Sequence, residues 1–376
     1  MKYWLWLLLT AMAVAQPNYD EALVPDYRLP ELTGHSRAQL LELFAEHVYG
    51  HVPADQPQLT ARESSETVFG GRAVRTLVEL DLAYQGRHQS LHLLIYRPAQ
   101  RPSCKVFVAM NFMGNQTVYP DSGIPLAQGW VDNNESLGIT QNRATDSSRG
   151  GRSGRWPVEA ILARGYGLCT LYYGDVDPDF DDGFTNGVHG LMGKSEDWGS
   201  IAAWAWGLSR VADYLEQQDW VDGLAVMGHS RLGKAALWAG ANDPRFGLVI
   251  SNNSGCGGAA LSRRRFGETV KAINDRFPHW FCRRFREYNE REDALPVDQH
   301  QLLALMAPRL LYVASAESDL WADPEGERLA VEAARPAFAG GGQVGYHRRP
   351  GKHDVTPYDW ERYLDFADRW WRPRAP

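Results

Sequence analysis

The chain is short of several things, and each shortage removes a class of function. The apolar run in the first fifteen residues is too short to span a bilayer comfortably and no second run of spanning length follows, so the rest of the chain is expected to be soluble. No internal repeat, low-complexity tract or Pro/Ser-rich linker divides it, which argues against solenoids, tandem modules and a propeller-bearing serine peptidase. An excess of basic charge is also missing: 39 Lys and Arg against 46 Asp and Glu give a formal net charge of −7, a poor match for nucleic acid. Cysteine is scarce, with Cys104, Cys169, Cys256 and Cys282 the four present. Cys104 and Cys169 fall at or inside apolar, strand-like runs where a buried thiol is expected. Cys256 and Cys282 lie in loops and are the better candidates for a disulfide in an exported protein.

What is present is more specific. Fourteen tryptophans are many for this length; core packing accounts for most of them, and sugar-ring stacking is a further use of the rest. Residues 1–15 combine one positive charge, a short apolar core and an Ala13-Val14-Ala15 ending, the pattern of a signal peptide. The mature chain is therefore expected in the periplasm or outside the cell, with no membrane association after cleavage. Residues 16–376 are expected to form a single catalytic domain with an N-terminal extension, acting as a monomer.

Apolar runs at residues 90–96, 105–110, 167–173, 248–250 and 309–314 read as strands, and helical periodicity appears at 156–164 and 197–217. Strands alternating with helices imply a mostly parallel sheet covered on both faces. The stretch Gly223-Leu-Ala-Val-Met-Gly-His-Ser-Arg-Leu-Gly-Lys-Ala-Ala-Leu237 reads as strand, sharp turn and small-residue helix, with Ser230 on the turn. A serine hydroxyl is a weak nucleophile, so it must stand clear of the sheet where a base takes its proton and N–H groups meet the oxyanion. Together these features predict an α/β-hydrolase fold. The second glycine of the usual G-x-S-x-G pattern is displaced by one position, to Gly233, with Leu232 in its place. In that fold the acid and the histidine follow the serine in chain order. An acidic loop, Ser315-Ala-Glu-Ser-Asp-Leu-Trp-Ala-Asp323, follows the strand at 309–314, and His353 stands after Gly351 just before the last helix. His353 is thus the expected general base, whereas His229, beside the nucleophile, is expected to point away from the hydroxyl and to be structural.

The motifs Gly228-His-Ser-Arg-Leu-Gly-Lys234, Ser254-Gly-Cys-Gly-Gly258, Phe266-Gly-Glu268, Phe277-Pro-His-Trp-Phe-Cys282, Ala314-Ser-Ala-Glu-Ser-Asp-Leu-Trp-Ala-Asp-Pro324 and Gly351-Lys-His-Asp354 together resemble the bacterial glucuronoyl esterases of carbohydrate esterase family 15. The likeness runs from about residue 90 to the C-terminus and accounts for the altered elbow, since that family carries G-x-S-R-x-G-K. It implies hydrolysis of the ester between (4-O-methyl-)glucuronic acid branches of xylan and lignin alcohols, through an acyl-enzyme on Ser230 and with no metal or organic cofactor. It also implies that Lys234 hydrogen-bonds sugar hydroxyls, that Glu268 accepts from the sugar and that Trp321 is its apolar platform. Arg231, directly after the nucleophile, is expected to aim charge-assisted donors at the oxyanion. A cation at a helix N-terminus opposes the macrodipole, so it needs a compensating anion. Where many family members carry a glutamate before Ser-Gly-x-Gly-Gly, this chain has Asn253, and the acid role passes to the later loop, to Asp319 with Glu317 as the alternative. Two rival readings share the scaffold: an esterase for acetyl groups on xylan or other carbohydrate esters, and a catalytically silent sugar-binding protein.

Overall fold

Nine strands form one sheet in the computed structural model of the chain, which describes residues 17–193 and 198–371. They are β1 (Gln58–Val68), β2 (Ala73–Tyr84), β3 (Arg87–Pro98), β4 (Cys104–Asn111), β5 (Gly167–Tyr172), β6 (Val221–His229), β7 (Phe246–Asn252), β8 (Leu310–Ala316) and β9 (Gln343–Arg349). Their spatial order is β1-β2-β3-β5-β4-β6-β7-β8-β9. From β5 to β9 every neighbouring pair is parallel, while β1, β2 and β3 form an antiparallel meander that joins the rest through β3 against β5.

The parallel half follows from its composition. Its strands are buried on both faces and read as continuous apolar runs, which is why the sequence reveals them. Alternate residues feed two different cores: Val106 and Val108 belong to one cluster, Phe107 and Ala109 to the other. Helices α2 (Ser200–Leu215) and α3 (Arg231–Asn242) cover the first face, while α1 (Val158–Ala163) and α5 (Pro357–Trp370) cover the second. Helix α4 (Pro324–Ala334) follows β8 and also packs on the first face. Strands β1 and β9 are polar edges, with β1 exposed along nearly its whole length, so neither leaves an apolar pattern in the sequence.

Three sequence expectations meet different outcomes here. The leader at residues 1–15 and the helix start at Asp197 lie outside the described residues; α2 begins at Ser200. Among the described residues no helix is long and apolar enough to cross a membrane. The disulfide expected between Cys256 and Cys282 is corrected: all four cysteines are free and buried. Both residues belong to the larger apolar core, and burial pushes the Cys256 thiol well above its ordinary value, so the two loops pack inward as small hydrophobes. Of the tryptophans, Trp198, Trp204 and Trp360 are fully buried and serve the core.

Candidate active site

Strand β6 delivers Ser230 to a strained turn before α3, with φ 58° and ψ −129°, a conformation that a non-glycine residue adopts only when its surroundings impose it. The surroundings do so. The Ser230 N–H donates to Asn252 O at 2.9 Å, and a Cβ on Gly228 would lie 1.9 Å from Leu232 O. The displaced glycine also has a physical reason. Leu232 is buried in the core, and it is Gly233 that passes closely, with a Cβ there 3.0 Å from the Ser254 side chain and 3.1 Å from Gly228 O.

His353 stands in the loop between β9 and α5, and its Nδ1 meets Asp319 Oδ2 at 2.5 Å. With Nδ1 so engaged, Nε2 is the nitrogen left for Ser230, and both residues line the same cavity. Asp319 is buried, whereas Glu317 is exposed and its backbone N–H is tied to Arg349 O at 2.8 Å. Asn253 works elsewhere. Its Oδ1 accepts from Ala316 N at 2.7 Å, and its Nδ2 donates to Asp354 O at 3.1 Å and Asn252 Oδ1 at 3.1 Å. The amide therefore ties the end of β8 to the histidine loop, and a carboxylate could not make the two donations. His229 faces the cavity rather than turning from it. Its ring lies 4.4 Å from that of His353, and its Nδ1 meets Asn252 Oδ1 at 2.7 Å. Burial, with the neighbouring His353 and Arg155, holds its pKa well below the ordinary imidazole value, so a charged His353 has a neutral ring for a neighbour.

Arg231 has its compensating anion, and sequence reasoning did not identify which one. Its guanidinium forms an ion pair with the buried Asp179, which also accepts from Trp280 Nε1 at 2.7 Å and Tyr173 OH at 3.1 Å and meets His279 Nε2 at 2.9 Å. The rings of Trp280, Phe112 and Phe277 lie 4.9, 5.6 and 5.6 Å from the guanidinium carbon. Burial alone would lower the Arg231 pKa, but Asp179 outweighs it and the group is held above its ordinary value. Asp179 sits below the usual carboxylate range: burial opposes this, and His279, Arg231 and Trp280 overcome it. Arg231 is thus a fixed cation beside Ser230.

Lys234, Glu268 and Trp321 form one wall of the cavity. Glu268 accepts from Trp321 Nε1 at 3.0 Å and from Lys234 Nζ at 3.2 Å. Lys234 differs from expectation in its partners. It is buried, and it also donates to Ser254 O at 2.5 Å and Cys256 O at 2.6 Å, so its three N–H bonds are engaged by the protein. Behind the wall, the fully buried Glu327 of α4 accepts from Ser254 N at 2.7 Å, Gly255 N at 3.1 Å and Ser315 Oγ at 2.6 Å. Sequence reading missed this brace, because nothing in one sequence marks which helix glutamate turns inward. Ser230, Arg231 and His353 border two lobes: one of about 310 Å³ toward Trp321, and one of about 190 Å³ lined by Phe112, Met113, Trp156 and Val355 with Asp132, Arg152 and Arg155.

This arrangement has known counterparts. Residues 179–342 match the family model described as glucuronyl esterase of fungi. The chain is 45% identical over 401 aligned residues to carbohydrate esterase MZ0003 from an unknown prokaryotic organism, covering 94% of this chain and 93% of that one. It is 31% identical to 4-O-methyl-glucuronoyl methylesterase 1 of Phanerochaete chrysosporium, over 58% of this chain and 50% of that one. The solved structure of a glucuronoyl esterase from Solibacter usitatus superposes with a TM-score of 0.85 at 43% identity, covering 93% of this chain and 100% of that one. With the α/β-hydrolase sheet, the serine elbow and near full-length similarity in agreement, the chain belongs to the glucuronoyl esterases of carbohydrate esterase family 15.

Proposed function

We propose that the protein is a serine esterase that cleaves the ester between a glucuronic acid carboxyl, borne on xylan, and a lignin alcohol. In this reading Ser230 Oγ attacks the uronate carbonyl while His353 Nε2 takes its proton, and Asp319 holds the ring and balances the imidazolium. The oxyanion forms beside Arg231, whose charge is already fixed by Asp179 and needs no rearrangement as the reaction proceeds. Collapse of the tetrahedral intermediate breaks the ester bond, and His353 returns the proton to the departing alcohol. Water, deprotonated by His353, then attacks the acyl-enzyme, releasing the uronate and restoring the serine.

One juxtaposition supports the uronate over a smaller acyl group: the cavity that holds Ser230 and His353 is walled by Glu268 and Trp321. A carboxylate acceptor beside a half-exposed indole suits the hydroxyl edge and C–H face of a pyranose, and neither serves an acetyl group. Lys234, with its donors occupied, supports the wall by fixing Glu268 rather than by reaching the sugar. Export through the leader at residues 1–15, to the periplasm or outside the cell, suits a polymeric substrate. Hydrolysis of methyl glucuronate, methyl galacturonate and acetylated xylan tests the reading. Turnover of the first well above that of acetylated xylan is expected, and preference for acetyl release would overturn it.

A further inference from the structure

Five large hydrophobic side chains are exposed among the described residues; two of them, Tyr19 (47%) and Leu23 (69%), line one groove, and a third, Leu320 (41%), precedes Trp321 of the cavity wall. Gly267 joins the segment before Tyr19 to the loop of Leu320 and Trp321. Its N–H donates to Asn18 O at 2.8 Å, and a Cβ on it would lie 2.3 Å from Leu320 O and 2.6 Å from Trp321 O. The next residue, Glu268, donates its N–H to Trp321 O at 2.8 Å. Asn18, the loop carrying Glu268 and the loop carrying Trp321 are therefore stitched backbone to backbone. Side chains lock the outermost layer: Tyr19 packs edge-on to Phe266 at 6.3 Å, and the Glu21 carboxylate accepts from Arg264 Nη2 at 2.9 and 3.0 Å. Beside Tyr19 runs an open groove lined by Asn18, Asp20, Leu23, Pro25 and Arg265.

We propose that this rim is a subsite for the pyranose main chain that bears the uronate branch, with Tyr19 as its platform. The inference rests on the uronate-ester reading and extends it outward. The rim is continuous with the sugar wall, since Leu320 adjoins Trp321 and Asn18 adjoins the Glu268 loop. Its surface alternates apolar faces with Asn18, Asp20 and Arg265, the pattern that a sugar ring presents in reverse with its C–H faces and equatorial hydroxyls. The N-terminal strap is held in place before substrate arrives, so the platform costs little ordering on binding.

The test compares the full chain with its Tyr19→Ala and Tyr19→Phe variants on two substrates, methyl glucuronate and a methyl-esterified glucuronoxylo-oligosaccharide. Wild type is expected to prefer the oligosaccharide ester in kcat/KM. Tyr19→Ala should reduce that preference about three- to tenfold, the range of one aromatic contact, through KM on the oligosaccharide alone. Tyr19→Phe should retain it. An unchanged preference in Tyr19→Ala overturns the subsite, and an equal loss on both substrates reduces the strap to a brace for the Glu268 loop and overturns it too. Binding of unesterified glucuronoxylan to the same variants, read by affinity electrophoresis, separates this inference from the reading beneath it. Tyr19-dependent retardation without ester hydrolysis would keep the subsite and sink the esterase reading, while no retardation of wild type would sink the subsite.

Discussion

The two sides of the cleft are held together differently. Toward Trp321, the Trp321–Glu268–Lys234 chain is closed by hydrogen bonds to protein carbonyls and braced by Glu327 from behind. Toward Phe112, the lining mixes the apolar Phe112, Met113, Trp156 and Val355 with Asp132, Arg152 and Arg155, the last ion-paired with Asp354 at 2.6 Å. A wall whose polar groups are fixed by one another holds Trp321 and Glu268 in one geometry, so a sugar that does not match that geometry is poorly accommodated. The methionine and rings on the Phe112 side re-pack around an apolar group, and an extra methylene changes little. The cleft should accordingly be strict about the acyl sugar, in the proposed orientation, and permissive about the alcohol.

Residues on the seam between the walls should spare neither side. Ser230→Ala is expected to abolish hydrolysis of uronate and simple aryl esters alike, by several orders of magnitude, in a protein of unchanged circular dichroism. Near-wild-type turnover by the folded variant would remove the serine from the mechanism. Asp319→Asn comes next, with a loss of about 10⁴ in kcat on both ester types if it orients His353, while Glu317→Gln should leave kcat close to wild type. The reverse order would hand the role to Glu317. If, as proposed, its charge meets the oxyanion of the transition state, Arg231→Ala should cost about 2.7–4 kcal/mol, read as lower kcat at similar KM. A rise in KM alone would make it a ground-state sugar contact.

Walls themselves should be separable. Trp321→Ala is expected to lower kcat/KM on uronate esters about tenfold and to spare an aryl acetate, while Met113→Ala alters the alcohol preference and leaves the sugar preference intact. Equal effects on both substrates would collapse the distinction. The smallest effect is on stability. Burial pushes Glu327 up to about 7, so the folded state favours its protonated form. Relative to Glu327→Gln, wild type should be most stable below the free carboxyl value of 4.5 and should lose ground as pH rises through 7. A Tm difference that stays flat with pH would mean that the Glu327 carboxyl titrates alike in the folded and unfolded chain.

What could be read in the sequence follows from local chemistry. Continuous apolar runs gave the buried parallel strands, the Gly-spaced turn gave the elbow at Ser230, and chain order gave His353 and the acidic loop. The edge strands β1 and β9 stayed hidden because solvent-facing strands need no apolar pattern, and Cys256 and Cys282 looked like loop residues because depth does not register in a linear chain. Between Asp319 and Glu317, two acids two residues apart, only the path of the loop after β8 decides: it buries one beside His353 and leaves the other in solvent. The same holds for Asp179, 52 residues before Arg231, and for Tyr19 beside the Glu268 loop. Motif and periodicity record what one segment does with its own backbone, whereas partners contributed by distant segments are set by how the sheet and its loops close in three dimensions.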